Sequence, residues 1–250
     1  MDYLEARTSL TQTKLNTSLA DIVAGTNQLF SLQDIEDAIQ FGCLKAWDYK
    51  PWTFTQGKQT VTLTTPLTTP FSYPNTMADE SIFLVVVNGV PWSGPQKGKR
   101  TFADYQLWLS NYPTDTSLIW SEYGRLIYLN PNACSVGQSA DLYGKSRFTK
   151  LSGDTDLLPF SPNADANEDS GNQAIIKLAY SFLLASDKKQ DFSNSAMQAK
   201  EAYADLDILW GIMGEKRAEM QPQNRPMFNT QDMFNKNRST RFDTNIGNFP

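Results

Sequence analysis

The chain has 250 residues, 40% of them hydrophobic, with 22 basic and 27 acidic side chains and a formal net charge of -5. That length supports one large domain or two small ones, and the negative balance excludes a basic nucleic-acid footprint spread over the whole surface. Histidine is absent and cysteine occurs twice, at Cys43 and Cys134, which removes Ser-His-Asp and Cys-His catalysis, a structural zinc site and a disulfide scaffold.

The polar start, Met1-Asp2-Tyr3-Leu4-Glu5, lacks a basic and apolar leader pattern, so no secretory signal is expected. In residues 1–30, Leu15, Leu19, Ile22 and Val23 keep helical spacing and predict a short helix with irregular flanks. Ser31 and Asp34 then form an N-cap with an acidic first turn. Ile35, Ala38, Ile39, Gly42, Cys43, Ala46 and Trp47 follow as one apolar helical face, which Pro51 ends.

The period changes after Pro51. Alternation over 52–56 and 59–64, with Gly57-Lys58 between, predicts a β-hairpin. A proline-rich stretch through Pro66, Pro70 and Pro74 leads to a central strand at 82–87, closed by Asn88-Gly89. Further strands are expected at 105–109, 117–120, 126–129 and 140–143, together a small sheet or partial barrel. Residues 150–172 have loop composition. No run approaches the roughly eighteen apolar residues of a membrane span.

Helix returns at 173–186. The last helix carries Phe192, Ala196, Ala199, Tyr203, Leu206, Trp210 and Met213 at alternating steps of four and three, a seam for packing on another helix. The two predict an antiparallel helical hairpin. The expected fold class is therefore α+β: a helical bundle (1–50 and 172–220) with an inserted small antiparallel β-domain (51–150), a loop (151–171) and an extended C-terminal docking arm (221–250).

The arm is thirty residues long and contains Pro222, Pro226 and many asparagines. Extended, it reaches about 100 Å, against a radius of gyration near 18 Å for a compact chain of this size, by the usual scaling. It carries Met227-Phe228-Asn229, repeated as Met233-Phe234-Asn235, and then Arg241, Phe242, Ile246 and Phe249. Disordered tails are poor in aromatics, so docking on a partner is favoured over free disorder. Seven apolar side chains cannot offset the entropy of ordering the whole arm. Either backbone pairing contributes, such as strand addition to a partner's sheet edge, or only the anchored parts become ordered.

No motif carries catalysis. Asp205 and Asp207 point to different helix faces. The acidic run 165–171 fails the calcium-loop pattern, with Ser170 where glycine and Ile176 where glutamate belong. Lys97, Lys99 and Arg100 form a basic tip with the composition of a phosphate loop but the wrong spacing. A solvated loop is the plainer reading. The alternative is that copies arranged in a ring line a channel and meet the DNA backbone there. Trp47, Trp52, Trp92, Trp108 and Trp120 read as sheet and helix core before they read as a sugar platform. No metal, cofactor or enzymatic activity is expected.

The order of elements resembles a known family. A first helix ends in Ala46-Trp47 and leads to Trp52-Thr53-Phe54. A polar β-insertion contains Phe83-Leu84-Val85-Val86-Val87-Asn88-Gly89. A helical hairpin includes Ala199-Lys200-Glu201-Ala202-Tyr203-Ala204-Asp205-Leu206, before the extended arm. This is similar to the head-to-tail adaptor (connector) proteins of tailed bacteriophages, including the tail tubular type. The resemblance implies a structural virion protein at the neck, assembled in the host cytoplasm. Twelve copies would form a ring under the portal protein, with the arm docked on the portal and the β-region facing the tail or nozzle protein. Genomic DNA would pass transiently through the centre, and a negative chain suits a channel that must not grip it. A virion-associated carbohydrate- or receptor-binding β-module is the alternative, with Trp92 and Trp108 as its contact residues.

Overall fold

A computed structural model describes residues 1–25, 29–64, 70–93, 98–161, 168–186 and 188–220. The chain divides into two units, Met1–Leu206 and Asp207–Pro250. The first is mixed α+β. The second begins within the last helix, and its residues from 221 onward lie outside the described set.

The first helix, α1 (Tyr3–Ser9), starts where Asp2 accepts from Glu5 N at 2.7 Å and Glu5 accepts from Asp2 N at 2.9 Å. This reciprocal cap satisfies two orphan donors. The helix continues into a π-helical turn, Leu10–Lys14, and a short α2 (Leu19–Val23) follows. Leu15 thus falls outside the helix expected around it, and the stronger element lies upstream.

Helix α3 (Leu32–Tyr49) carries the capping box at Ser31 and Asp34 and stops two residues before Pro51. Its buried stripe is Ile35, Ala38, Ile39, Gly42, Cys43 and Ala46, as its spacing predicts. It packs along α5 (Glu168–Ala185). Gly42 sets how close they come. A Cβ there would lie 2.6 Å from the Ile175 carbonyl oxygen and 3.2 Å from Ala179 N, both backbone atoms.

Helices α5 and α6 (Phe192–Met220) run antiparallel over the part of α6 that belongs to the first unit. Ser195 Oγ donates to Ser181 O at 2.8 Å, and one turn and more along, Lys177 Nζ meets Asp205 at 2.7 Å. The expected seam holds only in part. Phe192, 65% exposed, and Ala196 face solvent, while Leu206 is buried as expected and Ala202, beside the seam, is buried with it.

Among the described residues the β-region forms two four-stranded sheets. The first contains β1 (Gln56–Thr62), β3 (Leu84–Val87), β4 (Val90–Pro91) and β8 (Ser139–Lys145), in the order β1-β8-β3-β4 and all antiparallel. The second contains β2 (Phe71–Ser72), β5 (Gly98–Lys99), β6 (Ile119–Tyr123) and β7 (Leu126–Leu129), in the order β2-β7-β6-β5. Here β5 runs parallel to β6, against the purely antiparallel expectation. Val85, Val87, Ala140 and Leu142 of the first sheet share one core with Trp120, Ile127 and Leu129 of the second.

Two sequence expectations are corrected. There is no hairpin over 52–64. Residues 53–55 form a 3-10 turn and Gln56–Thr62 is one continuous strand paired with β8. Trp52 is in the core, as expected, but ahead of the 3-10 turn and not on a strand, its indole donating to Ala46 O at 2.8 Å. Residues 105–109 are not a strand but lie in α4 (Phe102–Asn111), capped by Thr101, whose hydroxyl accepts from Asp104 N.

The segment expected as loop is held on both sides. Tyr3 N donates to Asp156 O at 2.9 Å, and Gln40 Nε2 to Leu151 O at 2.7 Å. Arg7 pairs with Glu36 at 2.9 Å and with Asp154. Glu168 to Gly171, read as the end of an acidic loop, begin α5.

Candidate functional site

The two ends of the β-region meet at one place on the helical part. β1 enters opposite the exit of β8, Gln56 beside Lys145. Trp47, near the end of α3, donates from Nε1 to Ser146 O at 3.0 Å and contacts the rings of Phe54 and Phe148. Trp52 packs edge-on to Phe160 at 5.1 Å, and Lys145 pairs with Asp48 at 2.7 Å. An insertion whose ends lie side by side leaves the parent helices free to pack as though it were absent. Its far end, around the turn at Asn88 and Gly89, exposes Val90 and Val136.

Of the basic tip, Lys97 lies outside the described residues. Gly98 has φ of +100°, and a Cβ there would lie 3.1 Å from Trp92 O, so only glycine fits. Lys99 Nζ donates to Glu122 Oε2 and to Ile82 O, each at 3.0 Å, above the Trp120 ring. Glu122 Oε1 also accepts from Ile82 N at 3.1 Å, and its side chain is only 2% exposed. Burial pushes this carboxyl above its usual range, opposed by Lys99. Arg100 lies 4.5 Å over the Trp108 ring.

Glu80, Lys99, Arg100, Thr101 and Glu122 line a shallow cleft of about 420 Å³. Two acids and two bases leave it with no net charge to grip a phosphate. Its chemistry is a tie: Lys99 and Glu122 clamp the entry to β3 onto the second sheet.

The tryptophans divide sharply. Trp52, Trp92 and Trp120 are at most 2% exposed and cannot stack on a ligand. Trp108 is half-buried, and its indole donates to Asp115 at 2.7 Å. One partly exposed aromatic pair was missed by the sequence reading. Phe102 and Tyr123 stack with centroids 4.5 Å apart at 7°, and Tyr123 is 57% exposed. Thr101-Phe102 at a capped helix start was the available signal for half of it.

Asp205 is tied to Lys177 and is not half of a carboxylate pair. Among the described residues no group of three or more cysteine, aspartate or glutamate side chains is placed to hold a metal ion, and no helix is long and apolar enough to cross a membrane. The residues expected to dock the arm, Met227, Phe228, Met233, Phe234, Arg241, Phe242, Ile246 and Phe249, lie outside the described residues. In comparison with known proteins, the sequence matches no family model and no curated relative.

Proposed function

We propose that this chain is a ring-forming head-to-tail adaptor of a tailed-phage virion, joining portal to tail and contributing part of the DNA channel. The observation that carries the reading is the shared base of the β-region. Trp47 and Ser146 gather its entry and exit at the end of α3, 3.0 Å apart. One helical part and one two-sheet part can then meet different neighbours. The order of elements and the aromatic arm support the same reading.

In this account the helical part builds the ring, and the arm docks on the portal through Met227, Phe228, Met233 and Phe234. The β-region meets the tail or nozzle protein with its far end. The Lys99–Glu122 pair neutralises one charge of the basic tip, which suits a channel wall that DNA slides past. The chain acts by docking, without chemistry of its own.

Electron microscopy of the purified chain mixed with its portal tests this. Rings of twelve copies seated on the portal are expected, and monomers beside bare portals contradict the reading. The Phe102–Tyr123 stack favours one second reading, a virion module that binds carbohydrate. It predicts sugar binding by the whole chain that Tyr123→Ala abolishes.

A further inference from the structure

The seven-residue strand β1 ends its sheet with its outer edge open. Ser146 N donates to Thr55 O at 2.7 Å and Leu63 N to Gln138 O at 2.9 Å, so residues 55 and 63 bond directly to the β8 side. Antiparallel ladders alternate. Gly57, Gln59 and Val61 therefore also bond inward. The backbone N–H and C=O groups of Gln56, Lys58, Thr60 and Thr62 point outward, and among the described residues nothing pairs with them.

Natural edges are guarded by proline, bulges, charges or a covering element. β1 carries one charge, Lys58, and Asp141 neutralises it at 2.8 Å. Its two faces differ. Val61 packs on the core of the β-region, while Lys58 and Thr60 reach Asp141 on the other side. A strand added here must be apolar on one face and polar on the other.

The chain contains such a segment. Residues 241–247, Arg-Phe-Asp-Thr-Asn-Ile-Gly, set Phe242, Thr244 and Ile246 against Arg241, Asp243 and Asn245, with no proline. The segment is as long as β1. Residues 221–240 precede it after α6, and extended they span about 65–70 Å. That is several times the ~18 Å radius of such a fold, enough to reach another copy.

We infer that residues 241–247 of one copy add as an antiparallel strand to the open edge of β1 in a neighbouring copy. This rests on the reading that the arm docks, and it leaves the 227–235 stretch for the portal. Thr244 lies opposite Gln59, with Phe242 opposite Val61 and Ile246 opposite Gly57, so the apolar face of the sheet is extended by one strand. Asp243 sits opposite Thr60 and diagonal to Lys58. The backbone of residues 241, 243, 245 and 247 takes up the outward groups of Thr62, Thr60, Lys58 and Gln56.

Gln59 and Thr244 then form a non-hydrogen-bonded pair with Cα atoms about 4.5 Å apart, within disulfide reach. Full-length Gln59→Cys and Thr244→Cys proteins are mixed with portal and oxidised mildly. The native Cys43 and Cys134 are buried. A disulfide joining one protein of each kind is expected. Thr60→Pro in the Gln59→Cys protein removes one outward N–H, and the link should fall at least tenfold while the melting temperature holds within a few degrees. Three results overturn the proposal: no link, a link only when both cysteines sit in one chain, or Gln59→Cys proteins linked to each other. Loss of portal co-sedimentation would instead count against the adaptor reading, and the two failures are separable.

Discussion

Trp47 donates its indole N–H to the carbonyl of Ser146, and through that bond one helix holds the returning end of an insertion, ninety-nine residues on in sequence. Trp47→Phe keeps the ring contacts with Phe54 and Phe148 and deletes the bond, at a cost of about 1 kcal/mol. Trp47→Ala also removes the ring and should cost about 3 kcal/mol. Urea unfolding of the full chain measures both. Equal costs for the two would assign the stabilisation to the hydrogen bond alone.

Gly42→Ala tests the approach of α3 to α5. The added methyl lies 2.6 Å from the Ile175 carbonyl oxygen, and backbone cannot swing aside. The gain in helix propensity is at most about 1 kcal/mol, and overpacking costs about 1–3 kcal/mol. A net loss of stability in urea is expected, and a gain would show that the helices separate freely.

The Lys99–Glu122 tie gives a pH signature. Burial raises the Glu122 carboxyl above its ordinary value of 4.5, with Lys99 pulling the other way. A carboxyl raised by folding stabilises the fold while protonated. That contribution is complete below the unfolded value and is lost as pH rises through the folded one. Relative to Glu122→Gln, which does not ionise, the wild-type chain should therefore lose stability between about pH 4 and about pH 7. Paired unfolding curves at the two pH values test the sign.

The two thiols should be inert. Burial raises the Cys43 thiol far above its usual range and the Cys134 thiol to about 11. Neither should react with a thiol reagent at neutral pH in the native chain, and both should react after unfolding. Rapid native labelling of either would contradict their burial.

What could be read from residue order was what local rules decide. Ser31, Asp34 and Pro51 bracket α3, and a 3.6-residue stripe lies between them. Asn88-Gly89 marks its turn because both residues adopt positive φ. The errors came where two periods compete. Tyr105-Gln106-Leu107-Trp108-Leu109 is rich in aromatic and apolar residues, so it mimics a strand, although Thr101 and Asp104 already cap a helix. Gly57-Lys58 looks like a turn, yet the strand runs through it, because Gly57 lies under the side chain of Ser146. The pairing of Lys99 with Glu122 was not legible, since it spans twenty-three residues and depends on β5 lying parallel to β6. The open edge of β1 was equally hidden, because strand order is a property of the sheet.

The arm remains the centre of the functional account. Removing residues 221–250 and measuring co-sedimentation with the portal protein tests it most directly. The account predicts that the truncated chain keeps its thermal unfolding transition and loses portal binding by at least tenfold. Portal binding as strong as that of the full chain would contradict it.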